Sequence, residues 1–165
     1  MTLRPHVAGV DFSGARDAGK HIWVAEGTPT PDGVRIDRLR RADTLPRSGP
    51  DFDDAMPGLC AHIATLTDSI VGFDFPFSIP APLIKQSTWP AFIRDFADRY
   101  ATPEEFRETC RSVTGGREFK RETDIEAKVP WCAYNLRLYR QTWAGIRHVL
   151  APLVSRDFAR IIPIQ

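Results

Sequence analysis

The first half of the chain alternates short apolar runs with clusters of turn-forming residues. Apolar segments at Val7–Phe12 and His21–Glu26 flank the turn-rich stretch Ser13–Lys20, which is the pattern of two strands joined by a loop. After a further turn, apolar and charged residues alternate over Val34–Leu39, apart from the adjacent charges at 37 and 38, which predicts a half-exposed third strand. We therefore expect these three strands to form an antiparallel meander.

A helix and a fourth strand follow the meander in the pattern. Leu59, Ile63 and Leu66 form an apolar stripe at helical spacing, and an aspartate between positions 51 and 54 is the expected cap. Ser69–Asp74 then reads as a buried strand that ends on an acid. A helix between two strands of one sheet implies a crossover, so we expect this strand to lie parallel to the first.

The second half of the chain is mainly helical in pattern. We expect helices over 89–100, from Thr102 to the Gly115-Gly116 pair, and over 136–150. The charged residues 117–128 read as a loop, and Arg160–Ile164 reads as the beginning of another strand. The expected organisation is one α/β domain, with a sheet core over 1–82, a helical insertion over 83–158 and a further strand beginning at 159–165.

Composition excludes several classes of protein. The 165 residues are 42% hydrophobic and 26% charged with a net charge of +1, which argues against a disordered chain and a strongly basic nucleic-acid coat. There is no apolar run long enough for a membrane span and no pattern of a signal peptide, so we expect a cytoplasmic protein without a membrane partner. Cys60, Cys110 and Cys132 lie too far apart for a zinc motif and read as free, buried thiols.

Two aspartates carry the sharpest chemical signal. Asp11 in VAGVDFSGA and Asp74 in IVGFDFPFS each end or interrupt an apolar strand after a glycine and an apolar residue. If the two strands are neighbours, both carboxylates lie close together, and a hard cation such as Mg²⁺ or Mn²⁺ would offset their repulsion. The simpler interpretation is that each aspartate ends its strand and accepts hydrogen bonds from turn amides.

Other candidates are weaker. The loop after Asp11 is a candidate phosphate-binding loop, with Ser13 and Lys20 as contacts, although an ordinary turn has the same composition. Asp124 is a candidate additional acid. The segment from Arg117 to Arg140 mixes basic and aromatic residues that would suit phosphates and bases, or a solvated loop followed by core aromatics.

The motifs VAGVDFSGARDAGKHIWVAEG, VGFDFPFSIP, TD, KVP and YNLRLYRQTWAGIRHVLAPL resemble domain-of-unknown-function family 429. The resemblance runs in order from Val7 to about Pro163. Members of that family are described as predicted nucleases with a ribonuclease-H-like fold. The resemblance therefore implies this fold, with the mixed sheet and helical segment expected above, and a nucleic-acid substrate, DNA or RNA.

The resemblance also implies a two-metal phosphodiesterase mechanism. Asp11 and Asp74 would be the metal ligands, and Asp124 would join them as a third catalytic acid. Arg121, Lys128 and Arg137 would steer or clamp phosphate. Family members continue further and carry later acidic residues, and the last acid of the metal site would be missing here. The resemblance therefore implies that the chain is truncated, that a partner chain completes the site, or that the activity is lost.

Two other classes of function remain open. Proteins of the actin and sugar-kinase group bind ATP phosphates on an early strand–turn–strand loop, and the loop after Asp11 would serve in that way. A non-catalytic binding or assembly module is the third possibility, because an incomplete sheet exposes an edge to a second copy or to another chain.

Overall fold

The computed structural model describes residues 4–162, and the chain forms two compact units, Met1–Asp74 and Phe75–Gln165. The first unit contains a sheet and one long helix, and the second is helical. The expected α/β class is confirmed, and the ribonuclease-H-like fold stays a prediction. The division falls at Asp74, whereas the sequence pattern predicts the change from sheet to helix near residue 82.

A four-stranded mixed sheet forms the first unit. Its strands are β1 (His6–Asp11), β2 (Trp23–Thr30), β3 (Gly33–Arg41) and β4 (Ser69–Phe73). The spatial order is β3-β2-β1-β4, with β1 and β4 parallel and the other two pairs antiparallel. The predicted meander and the predicted parallel fourth strand are both confirmed.

Helix α1 (Phe52–Thr65) makes the crossover between β3 and β4 and covers one face of the sheet. The Nε2 atom of His62 on α1 lies 3.2 Å from Oε1 of Glu26 on β2, and Leu59 and Ile63 are buried. Val10 and Val24, paired across β1 and β2, are buried as well. Apolar residues at helical spacing on α1 and at alternate positions on the strands therefore build this core.

The opposite face of β3 differs from expectation. Val34, Ile36 and Leu39 are 51%, 57% and 61% exposed, so the strand buries neither face. These residues pair with Pro29, Gly27 and Ala25 of β2, on the side away from α1, and the register shifts at Glu26/Gly27. The alternation correctly predicts a strand, but it does not reveal that its apolar side faces outward.

The loop between β1 and β2 is held by a close backbone contact. A short 3₁₀ turn at Ala18–Lys20 brings the Gly19 amide within 3.0 Å of the Pro50 carbonyl oxygen. A Cβ atom at Gly19 would lie 2.0 Å from the Gly49 carbonyl oxygen. Glycine at position 19 is therefore explained by packing, without any ligand.

Two capped helices begin the second unit. Helices α2 (Trp89–Arg99) and α3 (Pro103–Val113) each have a threonine cap, and the Thr102 hydroxyl accepts a hydrogen bond from the Glu105 amide at 3.2 Å. Gly115 and Gly116 follow α3 with φ values of +60° and +80°, which end the helix as expected. Rings of Phe96, Tyr100 and Phe106 pack at centroid distances of 4.9–5.4 Å.

Three predictions about the second unit are wrong in part. A short helix, α4 (Glu122–Glu126), lies inside the stretch predicted as a loop, because Arg121 and Asp124 cap it. The last helical segment begins at Tyr139, not at Leu136, since the Asn135 side chain accepts from the Arg137 amide at 2.8 Å and forms a turn there. Residues 160–162 are not a strand, and the remainder of that predicted strand lies outside the described residues.

The last helical segment contains a wider turn. It consists of α5 (Tyr139–Ala144), a π-helical stretch (Gly145–Leu150) and α6 (Ala151–Ser155). The π-helical stretch ends at Leu150, two residues before Pro152, which has no N–H to donate to the preceding turn.

Among residues 4–162, no helix is both long and apolar enough to cross a membrane. None of the three cysteines forms a disulfide; Cys110 and Cys132 are buried as predicted, whereas Cys60 is only partly buried.

We expect Gly19→Ala to destabilise the protein by about 2 kcal/mol, because the backbone of Gly49 must move to admit the methyl group. The free energy of unfolding in urea measures this effect. Gly9→Ala is the control, since a Cβ atom at Gly9 meets nothing within 4 Å. Equal stabilities for the two variants would contradict the close approach at Gly19.

Candidate active site

Asp11 lies at the carboxyl end of β1 on the open face of the sheet. Its neighbours Val10 and Phe12 are buried, each 4% exposed, whereas Asp11 itself is exposed. This is the alternation of a strand whose inner face packs on α1, and it turns the carboxylate outward. The local pattern that buries the inner face of this strand therefore leaves Asp11 exposed to solvent.

Asp74 follows the last residue of β4, next to Asp11. Val10 of β1 pairs with Phe73 of β4, so the strand ends lie side by side. The Phe12 amide donates a hydrogen bond to Oδ1 of Asp74 at 2.8 Å. The two strand ends thus bring Asp74 into contact with the residue after Asp11. A carboxylate that accepts from a main-chain amide at a strand end is what the simpler interpretation predicts for Asp74, and the shared metal site stays a prediction.

The open face beside Asp11 carries an aromatic and a basic residue. Asp11 pairs with Trp23 of β2, and Trp23 pairs with Arg41 of β3. Paired residues project on the same face with Cβ atoms about 5 Å apart. A carboxylate, an indole and a guanidinium therefore occupy one row across three strands, at the end of the sheet where Asp74 lies.

The proposed phosphate loop is explained by local contacts. The Ser13 hydroxyl oxygen accepts a hydrogen bond from the Ala15 amide at 3.2 Å, which forms a small turn. Lys20 lies 4.0 Å from the Asp17 carboxylate, and His21 lies 3.2 Å from it. The Asp17 main chain, followed by His21, holds the pKa of this carboxyl below its ordinary value against the opposing effect of burial.

Asp124 belongs to the second unit and is 3% exposed. Its two oxygens accept from the Arg121 guanidinium at 2.5 and 2.9 Å, and Oδ2 accepts from the Arg121 amide at 3.1 Å. Burial alone would raise the pKa of Asp124, but these hydrogen bonds outweigh it and lower the pKa below its ordinary value. The contacts explain Asp124 as the cap of α4, and its role as a catalytic acid stays a prediction.

The predicted phosphate contacts also lie in the second unit, in different settings. Arg121 is held by Asp124, as described above. Lys128 is exposed, and its backbone has a φ angle of +53°, in the left-handed region. The Arg137 guanidinium lies 5.0 Å from the centre of the Trp131 ring, a cation–π contact on an exposed loop. Binding of phosphate by these three residues stays a prediction.

A hollow of about 390 Å³ lies in the first unit at the opposite end of β1 from Asp11. Its lining includes His6, Glu26, Thr28 and Arg38. Oε1 of Glu26 accepts from the Arg40 guanidinium at 2.5 Å and also contacts His62. Burial would raise the pKa of Glu26, but the hydrogen bond from Arg40 outweighs burial and the pKa is lowered overall. Because Glu26 contacts His62, this carboxylate connects α1 to the sheet.

The donor set suits a hard cation in one respect. Asp11 and Asp74 offer carboxylate oxygens, and Mg²⁺ commonly binds through one or two carboxylates while keeping waters and substrate oxygens. Within residues 4–162, no three or more His, Cys, Asp or Glu side chains are grouped to hold a metal ion. The pair therefore fits a single ion that substrate oxygens complete, and fits a two-ion cage less well.

The row next to Asp11 was missed by the sequence analysis. Trp23 and Arg41 stand in strands that the pattern predicts, yet neither residue was singled out. Strand register determines which residues become neighbours, and alternation within one strand does not supply it. An exposed tryptophan in a strand with small residues on the same side was the available signal.

Comparison with protein-family models, with curated proteins and with solved structures found no match. The resemblance described above therefore stays a prediction, which rests on the five motifs and on their order in the chain.

We expect Asp124→Asn to destabilise the protein by about 2 kcal/mol at pH 7, because it weakens charge-assisted hydrogen bonds with Arg121. The pKa of Asp124 is lower in the folded than in the unfolded chain, so its contribution is full above the unfolded pKa and is lost as the pH falls through the folded pKa. Urea unfolding across this range should show the difference from wild type shrinking with acid.

Glu122→Gln is the matched control, because Glu122 is exposed on the same short helix. We expect it to change stability by less than about 0.5 kcal/mol. An Asp124→Asn protein as stable as wild type at pH 7 would contradict the structural explanation and would favour a chemical role.

Proposed function

We propose that this protein hydrolyses phosphodiester bonds in nucleic acid with Mg²⁺ or Mn²⁺ bound at Asp11 and Asp74. The observation that carries the proposal is the hydrogen bond from the Phe12 amide to Asp74, which holds the second acid beside the end of β1. Two carboxylates at adjacent ends of parallel strands, on an exposed sheet edge, are open to a large substrate. Exposure of this kind suits a polymer better than a small metabolite enclosed in a pocket.

The topology supports the proposal of a ribonuclease-H-like fold. That fold opens with three antiparallel strands, a helix and a fourth strand parallel to the first, and this chain has the same order. Its leading acids would then be Asp11 on β1 and Asp74 after β4. Because one fold serves many activities, the activity is argued from the acids rather than from the topology.

In the proposed reaction the side chains of the protein bind the cation, and the cation orients the phosphoryl group of the substrate. Asp11 and Asp74 would hold the cation, and the Phe12 amide fixes one oxygen of Asp74. A bound cation would polarise the phosphoryl group and lower the pKa of a coordinated water. The two carboxylates fit one ion, so a two-ion version requires donors from the substrate or from other acids.

The ATP-binding alternative receives less support from the loop after Asp11. Ser13 forms a local turn, and Lys20 lies 4.0 Å from the Asp17 carboxylate. Both candidate phosphate contacts therefore have partners within the loop. The assembly alternative gains support from the exposed apolar side chains of β3, and the sedimentation of wild-type protein distinguishes it. A reducing, cytoplasmic setting is part of the proposal, since no cysteine forms a disulfide.

Calorimetric titration with Mn²⁺ tests the metal site. We expect saturable binding to the wild-type protein and a loss of at least about tenfold in affinity for Asp11→Asn and for Asp74→Asn, because each removes a ligand charge. Asparagine at position 74 keeps an oxygen that accepts from the Phe12 amide, so the strand ends remain in place. Asp53→Asn, an exposed acid on α1, is the control that should bind as wild type.

Cleavage of labelled DNA and RNA oligonucleotides in Mn²⁺ completes the test. Activity that requires Asp11 and Asp74 but not Asp53 supports a nuclease. Metal binding that is unchanged in both Asp11→Asn and Asp74→Asn would contradict the assignment of these residues as ligands. ATP-dependent thermal stabilisation without cleavage would favour the nucleotide-binding alternative.

A further inference from the structure

Trp23 differs from the other tryptophans of the chain. Within residues 4–162, its indole makes no hydrogen bond, ring contact or cation–π contact, and the residue is 40% exposed. By contrast, the indole nitrogens of Trp89 and Trp143 donate to the carbonyl oxygens of Phe77 and Tyr100. The Trp131 ring is covered by a guanidinium. An exposed indole without a partner among these residues is available to a ligand, and tryptophan is enriched where proteins bind other molecules.

The position of Trp23 in the sheet indicates what that ligand is. Trp23 pairs with Asp11 on one side and with Arg41 on the other, in one row on the open face. The Arg41 guanidinium is oriented by two hydrogen bonds to Asp43, at 3.2 and 2.9 Å, and remains 44% exposed. The row thus offers a metal-binding carboxylate, a flat aromatic ring and a fixed cation to a single molecule.

The surface next to Trp23 has room for a flat ring. Gly9 and Ala25 form the next outward-facing pair along β1 and β2, and Gly9 in turn pairs with Gly72 of β4. A Cβ atom at Gly9 would meet nothing within 4 Å, so the sheet is open there. A planar group lying against the Trp23 indole therefore meets no obstruction from the floor of the sheet.

We propose that Trp23 stacks an unpaired base of the substrate, and that the substrate is single-stranded nucleic acid. This inference rests on the proposed phosphodiesterase site at Asp11 and Asp74. A base stacked on Trp23 carries its phosphate toward the neighbouring acid, and Arg41 faces the adjoining backbone. A paired base in a duplex has both faces covered by its neighbours and cannot stack on an aromatic side chain in this way.

Binding in EDTA tests the proposal without cleavage. Fluorescence anisotropy of labelled single-stranded oligonucleotides should show Trp23→Ala losing about tenfold in affinity, which is the usual scale for removing one stacking ring. Trp23→Phe keeps a ring and should stay within about threefold of wild type. Ile36→Ala is the control and should bind as wild type, since it removes a large exposed side chain from the same face, opposite Gly27 and four residues along β2 from Trp23.

A second readout separates stacking from a merely structural effect. Single-stranded oligonucleotide should quench tryptophan emission in the wild-type protein, and this part of the quenching should disappear in Trp23→Phe while affinity is kept. A duplex of the same sequence should bind more weakly than the single strand, with an affinity that Trp23→Ala does not change.

Three results would overturn the proposal. The first is equal affinity of wild type and Trp23→Ala for single strands, and the second is a loss that occurs only in Trp131→Ala, which would place stacking in the second unit. The third is a dimer, seen by sedimentation, that both Trp23→Ala and Ile36→Ala dissociate, since a second copy would then cover this face. Because binding is measured in EDTA, a failure of the metal site is detected separately, by the Mn²⁺ titration.

Discussion

The parallel pairing of β1 with β4 is the constraint on which the candidate site depends. Two parallel neighbours require a crossover, and α1 supplies it while covering the inner face of the sheet. The hydrogen bond between the Phe12 amide and Asp74 extends this pairing one step beyond the strands. The two acids are separated by more than sixty residues of chain, and nothing in the sequence near either of them would bring them together without the crossover.

The sequence predicts elements better than it predicts neighbours. Apolar runs ending in Asp11 and Asp74 are sufficient to identify β1 and β4, because burial and turn residues act locally. The predicted helix between the strands is what indicates that β4 lies parallel to β1. The row that contains Trp23 and Arg41 depends on register across three strands, including the shift at Glu26/Gly27. Register is determined by the whole sheet, so the residues beside Asp11 become visible only when all the strands are in place.

Asp124 illustrates why residue type alone is a weak guide to chemistry. In the sequence it is another acid near basic residues, which is equally typical of a catalytic site and of a helix cap. In the structure it is buried, and both oxygens accept from Arg121. The same pair explains why α4 forms inside a stretch that otherwise reads as a charged loop, since satisfied amides at its first turn offset the low helical preference around it.

The edge strand β3 has a consequence for how the protein behaves at high concentration. Its outward apolar residues would favour pairing between the edges of two molecules, but arginines at positions 35, 38, 40 and 41 alternate with them. Arg35, Arg40 and Arg41 are each paired with a carboxylate, so charged side chains of both signs line this edge. A strand of a second molecule that pairs with β3 would have to remove these charges from water, and this cost, rather than a row of like charge, opposes association between the β3 edges.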